Sequence, residues 1–499
     1  MGWNFMKKKL ANLFKSILFL AVLSLCIAAA IVILKRKDSD YKYTDFFNMA
    51  KKDQIDVLFM GSSHVINAIN PVVMYDDYGI TSYNMGGHGA MLQATYWELV
   101  EALEYCTPKW VVVDTYMLEK DIKYLDNREE FDDEDEVNTS VEQLHLNMDA
   151  WPLNATKRAA IDDLIQSSSV KNEFLYEFIV YHNRWKYLKE SDFRTITGNA
   201  DKNLLFGAEM RYDVELEPLE HPDPREEDLL TDDTVGTVYL EKIIEFCQEK
   251  AIPVVVTYYP FAAETKDKAA AIKAGEIAEM YDVPYINMLE TDVINIYSDL
   301  NDHGHLNVAG SKKVTDYMGQ WLSETGDFED HRGDEAYSYW QDRVEDYKDE
   351  LTSTMLDEDK LYIKLNLLAI SDYSFVLYVN DDSPVFVDNY LKKMVMNVSR
   401  TNKVNATSGP YILISDKTYG NFEASGDERL DGIATALGTL NYQPVEHYFR
   451  LLYAQEDEET NYLYDEEYLM DDIQLIIYDK DGEIIAHDYY RSNGGNYER

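Results

Sequence analysis

Two short stretches of the chain hold side chains that together could carry out nucleophilic chemistry. Gly61-Ser62-Ser63 follows an apolar run at 55–60, and Asp302-His-Gly-His305 lies far downstream. A serine hydroxyl is a weak nucleophile unless a base accepts its proton and a third group orients that base. Ser63, His305 and Asp302 have the residue types for these roles, so the sequence predicts acyl transfer through a serine if the fold brings them together.

The elements around these stretches are predicted to build a mainly parallel α/β sheet. Apolar strand patterns and helical patterns alternate along the chain, which is typical of this fold class. In an open sheet of this kind the chemistry lies at the carboxyl ends of the strands, where Ser63 and the loop of His305 are expected. The predicted strands lie at 55–60, 81–90 in part, 110–113, 254–258 and 284–288, and the predicted helices at 91–103, 238–250, 266–281 and 311–322.

Residues 17–34 form an unbroken apolar run that is long enough for one membrane span. Lysines flank it on both sides, so the positive-inside rule favours a cytoplasmic segment 1–16 only slightly. A cleaved signal peptide is the alternative, but the apolar run continues past the alanines at 28–30 where cleavage would be expected. We therefore predict an uncleaved transmembrane helix in the cell membrane, with the bulk of the chain extracytoplasmic.

Charge and cysteine content exclude several classes of function. The formal net charge is −46, and no basic stripe offsets it, which argues against nucleic acid or anionic lipid headgroups as general partners. Cys26, Cys106 and Cys247 lie in apolar or helical patterns and define no disulfide framework. A zinc site at Asp302, His303 and His305 would leave the serine turn without a role, so we predict no metal and no cofactor.

The length of 499 residues favours at least two domains. We expect a catalytic domain at 50–325 with an insertion at about 121–233, whose predicted helix at 174–188 would cover the carboxyl edge of the sheet as a cap. An acidic linker helix is expected at 326–359. A β-rich domain at 360–499 is expected to contain strands at 375–379, 411–414 and 473–478, a hairpin turn at 479–482 and helices at 385–396 and 430–440.

The motifs resemble those of the SGNH/GDSL hydrolase superfamily. Gly61-Ser62-Ser63 matches its first block, Asn84-Met-Gly-Gly-His-Gly89 is similar to its second, and Asp302-His-Gly-His305 matches its fifth. The resemblance implies a three-layer α/β/α sandwich with Ser63, His305 and Asp302 as the catalytic residues. It also implies that the N–H groups of Ser63 and Gly89 form the oxyanion hole.

The third block departs from the pattern of that superfamily. The asparagine that normally completes the oxyanion hole is absent, because Asp114-Thr115-Tyr116 follows the strand at 110–113. A carboxylate aimed at an oxyanion would hinder catalysis. We therefore expect Asp114 to point elsewhere, with Tyr116 or a main-chain N–H as the substitute.

The Gly-Ser-Ser block and the apolar N-terminal run resemble the membrane-anchored cell-envelope branch of the superfamily, which includes the teichoic-acid D-alanyl transfer protein and alginate-type O-acetylation proteins. This implies an extracytoplasmic serine esterase or O-acyltransferase for an envelope polysaccharide or teichoic-acid-like polymer, with a multi-spanning O-acyltransferase as a partner. The alternative is a non-catalytic envelope protein that binds glycan or a partner enzyme. Candidate substrate contacts are His64, His88, Tyr116 and Arg184.

Overall fold

The chain forms a mixed α/β structure with an apolar N-terminal helix and an antiparallel β-rich C-terminal region. The computed structural model describes residues 2–35, 38–131, 134–176, 178–197, 204–380, 389–399, 401, 403–406, 410–445, 448–453, 462–465, 473–493 and 496–498.

Two helices precede the first strand. Helix α1, Gly2–Leu34, is long and apolar enough between Lys7 and Leu34 to cross a membrane, and almost none of that stretch is covered by protein. Helix α2, Asp38–Lys51, instead buries Tyr43, Phe46 and Met49 in the main core. Among the described side chains of these two helices, the exposed large apolar ones lie on α1.

A five-stranded parallel sheet lies at the centre of the residues before 326, in the order β2-β1-β3-β4-β5. The residues of β1 and β4 are all buried, as expected of a parallel sheet covered on both faces. This confirms the predicted α/β class. The strands are β1 Val57–Met60, β2 Ser82–Asn84, β3 Trp110–Asp114, β4 Val254–Tyr258 and β5 Tyr285–Asn287.

Helices α3 Ser63–Ala68 and α4 Pro71–Tyr78 connect β1 to β2, and α5 Leu92–Ala102 connects β2 to β3. The insertion after β3 then contributes a run of mostly short helices. They are α6 Glu134–Met148, α7 Ala155–Leu164, α8 Ser168–Leu175, α9 Phe178–Tyr181 and α10 Glu190–Thr197.

The predicted single helix at 174–188 is wrong. The structure divides this stretch between the end of α8, the four-residue α9 and a 3₁₀ helix at His182–Tyr187. The β-branched and aromatic residues that follow Tyr176 have modest helix propensity, and packing against α1 fixes their conformation instead. The segment therefore lies beside the end of α1 and does not form the predicted cap.

Three helices complete this part of the chain: α11 Val235–Glu249, α12 Thr265–Met280 and α13 Val308–Thr325. Helix α5 packs on α11 and α11 on α12, whereas α3 and α4 pack on α13. The connection from β1 to β2 runs toward one edge of the sheet, and the later connections run toward the other. Right-handed crossovers then require the two groups of helices to lie on opposite faces.

Helices α14 Ser338–Asp357 and α15 Leu361–Ile370 lead into two antiparallel sheets, ordered β15-β14-β13-β6-β7-β8 and β12-β11-β10-β9. The predicted strands and the hairpin turn at 479–482 are confirmed. The remaining elements are β6 Ser374–Val379, α16 Asn389–Ser399, β7 Tyr411–Asp416, β8 Gly420–Ser425, β9 Leu430–Thr435, β10 Gly438–Val445, β11 Tyr448–Tyr453, β12 Tyr462–Asp465, β13 Ile473–Tyr478, β14 Ile484–Asn493 and β15 Asn496–Glu498.

The helix predicted at 430–440 is wrong, because this stretch forms β9 and the start of β10. Pairing between the two strands, with Leu440 opposite Ile433, overrides the local helical pattern. The helix predicted at 385–396 corresponds to α16, although residues 385–388 lie outside the described residues. Helix α15 was not predicted, since an apolar run of its length does not distinguish a buried helix from a strand.

The main core is continuous from the parallel sheet into the β-rich region. Phe375, Leu377 and Val379 of β6 belong to it, together with residues of α14 and α15. Val376 and Tyr378, on the opposite face of the same strand, pack in a second core between the two antiparallel sheets. The two predicted domains therefore share one apolar interior.

Candidate active site

Ser63 lies where the first strand turns into a helix at the carboxyl edge of the sheet. Gly61 has a φ of +146°, and a Cβ there would lie 2.7 Å from Val65 Cγ2 and 3.0 Å from Asp114 Cβ. Ser62 is the N-cap of α3, and its Oγ accepts a hydrogen bond from the His64 N–H at 3.2 Å. Ser62 is therefore used for capping, and Ser63 is the hydroxyl that faces the downstream motif.

The structure brings the three predicted catalytic residues together. Ser63 Oγ lies 2.9 Å from His305 Nε2, and His305 Nδ1 lies 2.8 Å from Asp302 Oδ1. These contacts order the three groups as nucleophile, base and orienting carboxylate. A hydroxyl proton can therefore pass to Nε2 while Asp302 holds the imidazole with its proton on Nδ1.

Asp302 is fixed from several sides. Its Oδ1 accepts hydrogen bonds from the N–H groups of Gly304 and His305, each at 3.0 Å, and its Oδ2 lies 2.9 Å from a guanidinium nitrogen of Arg211. Burial raises the pKa of Asp302, but His305 and these hydrogen bonds outweigh it and the pKa is lowered overall. The carboxylate is therefore ionised at neutral pH.

The same surroundings keep His305 neutral. Burial lowers its pKa below the ordinary value, the charge of Asp302 opposes this shift, and the charge of Arg211 adds to the lowering. A base must be unprotonated before it can accept the proton of Ser63. The imidazole of His305 is therefore in the reactive form at neutral pH.

The loop that carries Asp302 and His305 is held by Asn307, the N-cap of α13. Its Oδ1 accepts hydrogen bonds from the N–H groups of Ala309 and Gly310, and its Nδ2 donates to the carbonyl oxygens of Ser298, Leu300 and Asp213. One asparagine thus joins the start of the helix to the preceding loop.

The second motif lies against the nucleophile turn. The Asn84 Nδ2 donates to the carbonyl oxygens of Val65 and Ile69, and its Oδ1 accepts from the Gly86 N–H. A Cβ on Gly86 would lie 2.7 Å from the Ser62 carbonyl oxygen, so only glycine permits this approach. Asn84 and Gly86 therefore set the position of the loop beside α3.

Gly89 lies at the end of the same loop, with φ +53°, against the side chain of Gln143 on α6. Within the described residues, the N–H groups of Ser63 and Gly89 have no hydrogen-bond acceptor. Their role as donors to an oxyanion stays a prediction.

The Asp114 carboxylate is held by main-chain N–H groups at the ends of two strands. Its Oδ1 accepts a hydrogen bond from the Tyr259 N–H at 3.0 Å, and its Oδ2 accepts one from the Tyr116 N–H at 3.4 Å. Burial raises its pKa to about 7 against the lowering by these hydrogen bonds. The side chain therefore joins the ends of β3 and β4.

His64 and Tyr116 form one wall beside the triad. Their rings stack at a centroid distance of 3.7 Å, and the His64 ring lies 5.7 Å from that of His305. Burial and the proximity of His305 hold the pKa of His64 well below its ordinary value. Burial raises the pKa of Tyr116 to about 12. Both side chains are therefore neutral at physiological pH.

The remaining candidates lie in two different places. His88 is on the second-motif loop, and its Nε2 lies 3.3 Å from Glu209 Oε1. Arg184 is not brought to the triad, because its guanidinium donates to the carbonyl oxygens of Leu34 and Lys35 and pairs with Asp192. His303, considered as a zinc ligand, faces Glu215 at 3.6 Å.

Sequence reasoning missed Arg211 and Glu209. Both lie in the second half of the insertion, which returns to the site through main-chain hydrogen bonds from Glu209 to Ile66 and from Val308 to Arg211. No motif or periodicity marks these residues, because their position depends on how the insertion closes. The insertion thus borders the site, but not through the predicted cap helix.

This arrangement has groups that nucleophilic acyl transfer requires: a serine hydroxyl hydrogen-bonded to a neutral base, and an ionised carboxylate that orients the base. The chain matches no protein-family model, and a search of curated proteins finds no match.

Proposed function

We propose that the chain is a membrane-anchored, extracytoplasmic serine esterase or O-acyltransferase of the SGNH type, with a three-layer α/β/α catalytic unit. The observation that carries the proposal is the hydrogen-bonded series Ser63–His305–Asp302, in which adjacent polar atoms lie 2.9 and 2.8 Å apart. Residues so distant in sequence adopt this arrangement at the sheet edge where α/β enzymes hold their chemistry.

The reaction begins with attack of Ser63 Oγ on the carbonyl carbon of an ester as the serine proton passes to His305 Nε2. The N–H groups of Ser63 and Gly89 stabilise the tetrahedral oxyanion. Collapse breaks the bond to the leaving alcohol, which takes the proton from His305. Water or a sugar hydroxyl then attacks the acyl-enzyme, with His305 again acting as the base, and Ser63 is regenerated.

The apolar length of α1 supports anchoring in a cell membrane, with the catalytic part on the extracytoplasmic side. An enzyme tethered in this way meets polymers of the cell envelope, so we propose an envelope polysaccharide or teichoic-acid-like polymer as the substrate. A multi-spanning O-acyltransferase is the proposed partner in transfer.

A fluorophosphonate probe on the detergent-solubilised full chain tests the proposal. We expect labelling of the wild type, no labelling of Ser63→Ala and reduced labelling of His305→Ala. Ser62→Ala is the matched control. Ser62 Oγ accepts a hydrogen bond from the His64 N–H, so this variant should still be labelled. Absence of labelling in a folded wild-type chain would contradict the proposal.

A non-catalytic role in glycan or partner binding has one observation in its favour. Asp114 stands where the third oxyanion donor is expected, and its carboxylate is occupied by main-chain N–H groups. Turnover of p-nitrophenyl acetate by the wild type but not by Ser63→Ala would exclude this alternative. Addition of a soluble glycan acceptor then separates hydrolysis from transfer by the product formed.

A further inference from the structure

We propose that residues 176 and 178–194, the membrane-proximal patch, lie in the headgroup and upper acyl region of the bilayer that holds α1. This inference rests on the anchoring part of the proposed function and adds a second, peripheral contact with the same membrane. The contact would fix the orientation of the catalytic part instead of leaving it to swing on a single helix.

The position of the patch relative to the apolar run is the first observation. Protein covers α1 only near its end. Residues 7–29 of the helix are exposed, whereas Leu34 is buried. The covering segments include α9, the 3₁₀ helix His182–Tyr187 and α10. Five helical residues, 30–34, span about 7 Å, so the patch lies at the level of the last turn of the apolar run.

Arg184 fixes this level. Its guanidinium donates to the carbonyl oxygens of Leu34 and Lys35 at 2.8 and 2.7 Å, where the helix leaves its last carbonyl groups without partners. It also pairs with Asp192 Oδ1 at 2.7 Å, which joins α10 to the same point. The patch is therefore attached to the end of the proposed span.

The composition of the patch is the second observation. Large apolar and aromatic side chains that a protein surface normally buries are here between 46% and 74% exposed, close to one another in the chain. Aromatic rings with a polar edge favour the interface between headgroups and acyl chains. The residues are Tyr176, Phe178, Ile179, Trp185, Tyr187 and Phe193.

Local charge is the third observation. The chain as a whole carries −46, yet the exposed charged side chains described within the patch are three basic ones, Lys186, Lys189 and Arg194, and one acidic one, Glu190. Lys186 Nζ lies 5.8 Å from the centre of the Trp185 ring. Basic side chains beside interfacial aromatics place their charge at the level of the lipid phosphates, which favours a bilayer over an apolar protein groove.

Bromolipid quenching of tryptophan fluorescence tests the inference. The full chain is reconstituted in phosphatidylcholine vesicles with and without brominated acyl chains, and the signal of Trp185 is taken as the wild type minus Trp185→Phe. Trp321→Phe gives the matched control, since Trp321, on α13, packs edge-on against Trp110 of β3. We expect about two-fold quenching of the Trp185 component and none of the Trp321 component.

Carbonate extraction of the same vesicles separates the failure of this inference from the failure of the anchor. If the chain is retained but Trp185 emission is unquenched and red-shifted, the anchor stands and this inference is overturned. The patch would then be a binding surface for a protein partner. Unquenched, blue-shifted emission would also overturn it, in favour of a second copy of the chain. Release by carbonate would overturn both anchor and inference, while serine labelling remains an independent test of the triad.

Discussion

Asp302 holds His305 through charge as well as through hydrogen bonding. Asp302→Asn keeps an acceptor at 2.8 Å from Nδ1 only if the amide oxygen faces the ring, and the carboxylate charge is lost in either case. We expect kcat for p-nitrophenyl acetate to fall roughly a thousand- to ten-thousand-fold, because the imidazolium formed during attack is no longer stabilised. Unchanged kcat in a folded variant would remove Asp302 from the triad.

The charge of Arg211 should affect how serine labelling depends on pH. Probe labelling requires neutral His305, so it should rise with pH through a midpoint below 6.5, because burial lowers the pKa of this histidine. The positive charge of Arg211 adds to the lowering, and Arg211→Gln should therefore move the midpoint to higher pH. Arg225→Gln, on an exposed loop, is the control and should leave the profile in place.

The raised pKa of Asp114 should make the unfolding free energy depend on pH. Its pKa of about 7 in the folded chain exceeds the ordinary value of 3.8, so between these values the native state binds more protons than the unfolded state. The contribution of Asp114 to stability is thus present at low pH and lost as pH rises toward 7. In urea titrations, the free energy of unfolding of Asp114→Asn should therefore rise relative to that of the wild type between pH 5 and pH 8. Parallel plots of unfolding free energy against pH for the two chains would contradict this.

At the scale of elements, the approach of the second-motif loop to α3 depends on Gly86. A Cβ there would lie 2.7 Å from the Ser62 carbonyl oxygen and 2.8 Å from the Ile66 nitrogen, both backbone atoms that cannot move independently. We expect Gly86→Ala to cost about 1–3 kcal/mol of unfolding free energy and to reduce serine labelling.

Gly304→Ala is the matched control for this prediction. Gly304 lies in the triad loop, but the nearest atoms to a Cβ there are 3.8 Å away, so the added methyl group meets no close contact. Equal losses of labelling in the two variants would show that loop position is not what Gly86 controls.

The elements near the motifs could be predicted from the sequence because their signals are local. The apolar run before Gly61 and the helical pattern after Asn307 each specify an element without reference to the rest of the chain. The insertion could not be predicted in the same way. Its segment after Phe174 is shaped by contact with α1, and the residues it returns to the site, such as Arg211, carry no pattern of their own.

At the scale of the whole molecule, the C-terminal region supports the loop of the candidate site. The Asn366 Nδ2, on α15, donates to the Ser298 carbonyl oxygen at 2.6 Å, the same oxygen that accepts from Asn307 at 2.8 Å. The sequence predicted a separate β-rich domain, because a shared core between distant segments leaves no local signal. The structure instead connects that region to the element that positions His305.

The ion pair between Lys364 and Asp488 tests this connection. It joins α15 to β14 at 2.6 Å with both side chains almost fully buried, so Lys364→Met removes the ammonium group that faces a buried carboxylate. We expect a loss of about 3–5 kcal/mol of unfolding free energy by urea titration, and recovery of most of it in Lys364→Met/Asp488→Leu, since the pair is replaced by apolar groups.

Serine labelling of the same variants relates this connection to the site. If α15 supports the loop through Ser298, Lys364→Met should reduce labelling under conditions where the chain remains folded, and the double variant should restore it together with stability. The exposed pair of Lys171 and Asp162, at 2.8 Å, supplies the control, because Lys171→Met should change neither quantity appreciably. Full labelling in a destabilised Lys364→Met chain would show that the C-terminal region and the triad loop are energetically independent despite their shared core.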